Sequence, residues 1–139
     1  MAKILIVDDQ LHVRELVGEE LISDGYRVAA TGNAESVAGC LRFSCPDLVL
    51  LDLYLDGPDG FRVLDEIKRE KPCLPVIIFT AYDSYADDPR LSLADGYVIK
   101  NSNLDELKQN VAHFLKQAVA RETGEQTLYC LDASNIMPI

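Results

Sequence analysis

A doubly wound α/β domain, its parallel sheet covered by helices on both faces, is the fold that this 139-residue chain predicts. Three observations point to it. Short apolar runs recur, among them Ile4-Leu5-Ile6-Val7, Leu48-Val49-Leu50-Leu51, Val76-Ile77-Ile78-Phe79 and Tyr97-Val98-Ile99, and none alternates with polar residues. Such runs read as strands buried on both faces. Segments with apolar residues at helical spacing separate them, so strand and helix alternate along the chain, as parallel crossover connections require. Finally, the runs end in polar residues able to do chemistry: Asp8-Asp9, Asp52, Thr80 and Lys100.

Taken in order, the first strand is Ile4 to Val7, and the helix after it turns Val13, Leu16, Val17 and Leu21 inward until Asp24-Gly25 closes it. Tyr26 to Ala30 is the second strand. Thr31-Gly32-Asn33 then turns into a helix reaching about Phe43, with Ala34, Val37, Ala38 and Leu41 inward. After the third strand comes a loop of turn-formers, Gly57-Pro58-Asp59-Gly60, and a helix facing inward through Phe61, Leu64 and Ile67 that Pro72 ends. The fourth strand stops at Thr80-Ala81. Between Asp83 and Leu93 a fourth helix is expected, short or irregular, because Pro89 interrupts it and three aspartates crowd it. The fifth strand ends at Lys100. A last helix runs from about Leu104 to Val119, with Asn103 as N-cap, Glu106 completing a capping box, and Leu104, Leu107, Val111, Phe114, Leu115 and Ala118 inward.

Length fits one domain, placed at residues 1–119, with 120–139 as a tail or the start of a linker. A formal charge of −10 argues against a nucleic-acid or anionic-membrane surface. The amino end enters a strand directly, so no secretory leader is read, and no apolar run approaches the roughly 20 residues that cross a bilayer. The cysteines Cys40, Cys45, Cys73 and Cys130 form no CxxC pair, so reduced thiols in a cytoplasm are expected rather than a zinc or disulfide framework.

In doubly wound sheets, sites form in the crevice beyond the carboxyl ends of the strands. Asp8, Asp9 and Asp52 converging there repel one another unless offset, and Lys100 supplies only one positive charge. A divalent cation fills the deficit, and oxygen ligands with open positions suit magnesium. A metal, a lysine and the Thr80 hydroxyl around Asp52 make a site for an incoming phosphoryl group, with the Asp52 carboxylate attacking in line. The expected product is an aspartyl phosphate.

Val7-Asp8-Asp9, Asp52 with Asp59-Gly60 behind it, Thr80-Ala81, and Tyr97 three residues before Lys100 together resemble the receiver domain of two-component response regulators. The resemblance covers roughly residues 3 to 118. It implies a flavodoxin-like (βα)5 sheet of order 2-1-3-4-5, and phosphoryl transfer onto Asp52 from a histidine kinase or a histidine phosphotransfer protein. It implies Mg²⁺, with Mn²⁺ as a substitute, held by Asp9, Asp52 and the backbone carbonyl of Tyr54, with Asp8 helping through water. Lys100 would pair with the phosphoryl group, Thr80 would swing to bond it, and Tyr97 would follow inward. The face built from the fourth helix, fifth strand and fifth helix would then report to a protein effector, with homodimerisation on phosphorylation as one form of output.

The chain departs from the family at two places. Asp56 stands where a proline is usual, with a proline displaced to Pro58. Asn101 follows the lysine where the family has proline, so no cis peptide is carried over to the Lys100–Asn101 bond. Asp56 reads as a solvated loop acid, and His12 and His113 as unlinked helix residues. Leu11 is either an exposed contact for a kinase or partly buried. Tyr54 and Tyr82 are either ordinary exposed aromatics or flank the phosphoryl group and limit water access. Thr127 to Leu131 has strand-like composition after a complete fold. A degenerate receiver that binds partners without phosphorylation is the alternative function. A phosphatase working through an aspartyl phosphate would need an acid where Tyr54 stands, and FMN binding would need a Ser/Thr/Gly-rich loop where Asp8-Asp9-Gln10 stands.

Overall fold

In a computed structural model, which describes residues 1–55, 57 and 59–123 apart from the side chains of 119–123, the five strands pair in parallel in the order β2-β1-β3-β4-β5. They are β1 (Lys3–Val7), β2 (Arg27–Thr31), β3 (Leu48–Leu51), β4 (Val76–Thr80) and β5 (Gly96–Ile99). The α-helices among the described residues are α1 (Leu11–Ser23), α2 (Val37–Ser44), α3 (Gly60–Glu70) and α4 (Asp105–Thr123). This is the sheet order that the resemblance implies.

Residue alternation along the central strands divides the core in two. Ile4 and Ile6, Leu48 and Leu50, and Ile77 and Phe79 face one side, where Val17 and Leu21 of α1 and Leu107, Val111 and Leu115 of α4 cover them. Leu5 and Val7, Val49 and Leu51, and Val76 and Ile78 face the other, under Val37 and Leu41 of α2 and Val63, Leu64 and Ile67 of α3. Both faces of β1, β3 and β4 are thereby removed from water, which is why these strands carry no polar alternation.

Several expectations are corrected. Leu16, expected inward, is 52% exposed. Helix α1 meets the sheet through Val17, Gly18 and Leu21, and a Cβ at Gly18 would lie 3.8 Å from Val28. Leu16 stands roughly 200° around the axis from Gly18, on the far side. Ala38 is exposed as well: Ala34–Ser36 forms a 3-10 turn before α2, so the phase linking Ala34 to Ala38 is not α-helical.

The fourth helix, expected to be short or irregular, is reduced to less than an α-helical turn. A single 3-10 turn, Pro89–Leu91, occupies the segment, with Asp88 Oδ1 accepting from the Arg90 N–H at 2.9 Å. Proline at the first position of the turn and aspartates around it leave Leu91 as its one buried anchor, too little apolar surface to hold a longer helix on the sheet.

At the other ends the chemistry follows expectation. Gly25 closes α1 with φ 99°, its N–H on the Ile22 carbonyl, a conformation that favours glycine. Asn103 Oδ1 accepts from the Asp105 N–H at 2.8 Å at the start of α4, but the expected box with Glu106 is not formed, because the Asn103 N–H donates to Asn101 Oδ1 at 2.8 Å. Helix α4 runs on to Thr123, past the boundary expected at residue 119, while the expected strand-like stretch Thr127 to Leu131 lies outside the described residues, as do Asp56 and Pro58.

Candidate functional site: an acidic hollow at the strand ends

The parallel order makes β1, β3 and β4 central neighbours, so the residues just past each strand converge at one edge. The ladder runs one step beyond the strands, with the Asp52 N–H on the Val7 carbonyl at 2.9 Å and the Asp8 N–H on the Thr31 carbonyl at 3.1 Å. Asp8 and Asp52 are therefore side by side and almost fully buried, 2% and 6% exposed. Asp9, the next residue, is exposed, yet carboxylate oxygens of Asp8, Asp9 and Asp52 all lie within 4.8 Å of one another.

Lys100 follows β5, its N–H on the Thr80 carbonyl at 2.7 Å, and its side chain crosses into the hollow. Its Nζ is 2.6 Å from Asp8 Oδ2 and 3.0 Å from Asp52 Oδ2, with Gln10 Oε1 at 3.4 Å. One ammonium thus serves two buried carboxylates. Burial draws the Lys100 pKa down, but the hydrogen bond to Asp8 and the charge of Asp52 outweigh it, so the net shift is up and the lysine stays charged. Burial pushes the Asp52 carboxyl above its ordinary value, Lys100 offsets this only in part, and Asp8 adds to it.

The remaining acceptor sites are turned by the backbone. The Gln10 N–H donates to Asp8 Oδ1 at 2.9 Å and the Tyr54 N–H to Asp52 Oδ1 at 3.2 Å. Three carboxylates and one ammonium leave a net charge of about −2 in a set of hard oxygen donors, which fits a divalent cation such as Mg²⁺.

The loop beyond Asp52 is shaped from behind. Leu53 and Leu55 are buried while Tyr54 between them is 44% exposed, its ring 5.8 Å from that of Tyr82. The Gly60 N–H bonds the Leu53 carbonyl at 3.0 Å, and a Cβ at Gly60 would lie 2.4 Å from both the Asp52 carbonyl oxygen and Leu53 Cα. Glycine is needed here so that α3 can start directly against the backbone that carries Asp52.

Thr80 is fully buried at the end of β4, and its Oγ1 accepts from the Tyr82 N–H at 3.4 Å. Tyr97, half-buried on β5, donates its hydroxyl to the Tyr82 carbonyl. Burial raises the Tyr97 pKa; a backbone hydrogen bond from Tyr85 lowers it in part, and the charge of Asp83 raises it further. The chain after Thr80 is thus held by Thr80 and Tyr97 together. An aromatic row continues from it: Tyr82 meets Tyr85 at 6.2 Å, Tyr85 meets Phe61 at 5.4 Å, and the Arg90 guanidinium lies 3.8 Å above Phe61.

The structure brings Asp8, Asp9, Asp52 and Lys100 into one cluster and puts Thr80, Tyr54 and Tyr97 on the elements around it. His12 and His113 are both exposed, on separate helices. Leu11 is 59% exposed, so it is the exposed one of its two expected states. No peptide bond is cis among the described residues, and Lys100–Asn101 is trans. Sequence reasoning missed Gln10, because a glutamine at a helix start carries no signal for reaching a lysine 90 residues away. It missed the aromatic row for the same reason.

Residues 4–112 match the family model of the response regulator receiver domain. This chain belongs to that family. Among relatives of the receiver, sporulation initiation phosphotransferase F of Bacillus subtilis is 34% identical over 116 residues, 81% of this chain and 93% of that protein. The probable transcriptional regulatory protein TcrX of Mycobacterium tuberculosis is 32% identical over 127 residues, covering 90% of this chain but 52% of TcrX. The receiver spans about half the length of TcrX and of the probable transcriptional regulators ycf27 that it also matches. Among solved structures, response regulator protein TrrA from Thermotoga maritima, in complex with Mg²⁺-BeF, aligns with a TM-score of 0.78 at 38% identity, covering 82% of this chain and 99% of that one. TrrA in complex with histidine kinase ThkA aligns at 0.77 and 39% identity, over 83% of this chain and 99% of that one.

Proposed function

We propose that this receiver accepts a phosphoryl group on Asp52 from a histidine kinase or a histidine phosphotransfer protein, and that the change at the site controls a protein partner. The observation that carries the reading is the cluster itself: a buried carboxylate at a strand end, two further carboxylates within 4.8 Å, and a lysine bonded to it at 3.0 Å. The similarity to TrrA, solved with Mg²⁺-BeF and with histidine kinase ThkA, and to a sporulation phosphotransferase supports it.

In the transfer, an Asp52 carboxylate oxygen forms a bond to phosphorus as the P–N bond to the donor imidazole breaks, and the imidazole nitrogen keeps the electron pair. Asp9, Asp52 and the Tyr54 carbonyl, with Asp8 through water, would hold Mg²⁺ or, in its place, Mn²⁺, which would supply positive charge to offset the acids around the phosphoryl oxygens. Lys100 already sits on Asp52 and needs only to trade one carboxylate oxygen for a phosphoryl oxygen. Thr80 gives up its contact with the Tyr82 N–H and turns its hydroxyl to the phosphoryl group. Tyr97 releases the Tyr82 carbonyl and follows inward. The output face consists of β5, α4 and the Pro89–Leu91 turn, since that turn replaces the fourth helix. The receiver takes the phosphoryl group from the donor itself and loses it slowly to water.

The reading includes a cytoplasmic location, no direct contact with nucleic acid or membrane, and homodimerisation as one form of output. No helix among the described residues is long and apolar enough to cross a membrane. Incubation with acetyl phosphate and Mg²⁺, followed by intact mass measurement, tests the reading. It expects addition of one phosphoryl group, lost in D52N. Absence of the adduct under conditions that modify another receiver would favour a phosphorylation-independent binding module.

A further inference from the structure

The backbone carbonyl of Asp8 has no strand to bond. Beyond Val7 and Thr31 the β1–β2 ladder ends with the Asp8 N–H on the Thr31 carbonyl, and β2 then turns away through Gly32 and Asn33 into the 3-10 turn that Asn33 caps. A partly buried carbonyl left so would lack a partner. Arg14, one turn inside α1, supplies it: its Nη1 donates to the Asp8 carbonyl oxygen at 2.7 Å. The guanidinium reaches this position through space that a side chain at residue 32 would fill, since a Cβ on Gly32 would lie 2.6 Å from Arg14 Nη1 and 3.2 Å from its Cζ. Gly32 is outside the left-handed region of φ, so it is needed for space and not for backbone conformation.

With this contact Asp8 is held at four points. Its N–H is on Thr31, its carbonyl on Arg14, Oδ1 on the Gln10 N–H and Oδ2 on Lys100. The carbonyl matters most for the neighbour. The peptide plane joining Asp8 to Asp9 is rigid, so fixing its oxygen fixes where the Asp9 N and Cα lie, the base from which the Asp9 carboxylate reaches the hollow.

We propose that Arg14, seated in the slot left by Gly32, is a positioning residue that sets the Asp8–Asp9 peptide so that the three carboxylates meet a divalent cation. This rests on the reading of the acidic hollow as a Mg²⁺ site, and it assigns a role to a residue outside that hollow. A charge-assisted hydrogen bond from a planar guanidinium is directional, so a lysine does not reproduce it.

The test measures Mg²⁺ binding to the whole chain by titration calorimetry, with urea unfolding in parallel, for the parent, R14M, R14K, G32A and R14M/G32A. R14M keeps the apolar stem and removes the donors; G32A leaves Arg14 intact but evicts its guanidinium. Orienting partners of metal ligands are typically worth 10–100-fold in affinity, so R14M and G32A are each expected to weaken Mg²⁺ binding about tenfold, with R14K close to R14M. The double variant is expected to bind no more weakly than either single one, because both remove the same contact. Folded variants that bind Mg²⁺ as the parent does, whatever their urea midpoints, would overturn the proposal and reduce Arg14 to a structural bolt. So would fully additive losses in the double variant. If the parent itself binds no Mg²⁺, the reading of the hollow fails and the proposal with it; a parent that binds Mg²⁺ beside unaffected variants leaves that reading intact.

Discussion

Replacing Gly60 with alanine adds one methyl group at the tightest point behind the site. The new Cβ would lie 2.4 Å from the Asp52 carbonyl oxygen, 2.4 Å from Leu53 Cα and 2.8 Å from the Leu53 carbonyl carbon. Comfortable contacts between such atoms are about 3.5–4.0 Å, so something must give by about 1 Å. All three obstructing atoms are backbone, and no side-chain rotation relieves them. Either α3 backs away, stretching the Gly60 N–H bond to the Leu53 carbonyl, or the 52–53 segment moves and takes the Asp52 carboxylate with it. Overpacking of this kind typically costs about 1–3 kcal/mol, and a strained hydrogen bond adds about 1 kcal/mol. Alanine's better helix propensity returns at most about 1 kcal/mol, less at the first helical residue. The net expectation is a loss of about 1–4 kcal/mol, read from urea unfolding followed by circular dichroism. A displacement of about 1 Å at the reacting carboxylate should also slow phosphorylation by acetyl phosphate by up to about 100-fold. A G60A protein within about 0.5 kcal/mol of the parent, phosphorylated at the parent's rate, would refute the reasoning, since 0.5 kcal/mol is the scale of ordinary surface changes.

Three further outcomes are expected. Lys68 is 8% exposed and its Nζ lies 2.7 Å from Asp95 Oδ2, an oxygen that also accepts from the Val76 N–H at 2.8 Å. Asp95→Ala leaves this ammonium only the carbonyls of Leu74 at 2.8 Å and Pro72 at 3.5 Å and takes the acceptor from the Val76 N–H, so it should cost about 1–3 kcal/mol, more than Lys68→Met, in urea unfolding; equal or trivial losses would contradict the pairing. Because burial raises the Asp52 pKa in the folded protein, the ionised form is penalised by folding, and that penalty grows as pH rises from 3.8 through the raised folded value. Without Mg²⁺, D52N should therefore be more stable than the parent at pH 7, with the difference shrinking as pH falls toward 4; a difference independent of pH would show that the charge is not its source. Tyr54 and Tyr82, their rings 5.8 Å apart beside Asp52, are expected to limit water access, so Tyr54→Ala and Tyr82→Ala should shorten the lifetime of the phosphorylated protein severalfold, measured by decay of the phosphorylated mass. Lifetimes equal to the parent's would remove that role.

The acidic hollow was legible in the sequence because each member stands at the end of an apolar run, and a run's end is a local signal. Asp8, Asp52, Thr80 and Lys100 needed only the rule that parallel strands end at one edge. Helix faces were less legible. Periodicity reports that a stripe exists but not where the helix touches the sheet, and the close approach at Gly18 turned Leu16 outward. The fourth helix was correctly doubted at Pro89, yet its replacement by one turn with Leu91 beneath it depended on how little apolar surface the segment could offer the core.

By itself, then, the amino-acid order determined the strands, their sheet, and which side chains arrive at the carboxyl edge, since burial on two faces demands unbroken apolar runs that need no knowledge of the neighbours. Only the folded chain decided the contacts between residues distant in sequence: Lys100 shared by Asp8 and Asp52, Arg14 in the slot of Gly32, Lys68 on Asp95, and α3 starting against Asp52 at Gly60. These depend on distances set by packing of whole elements, and a single residue's chemistry carries no record of what packing will place beside it.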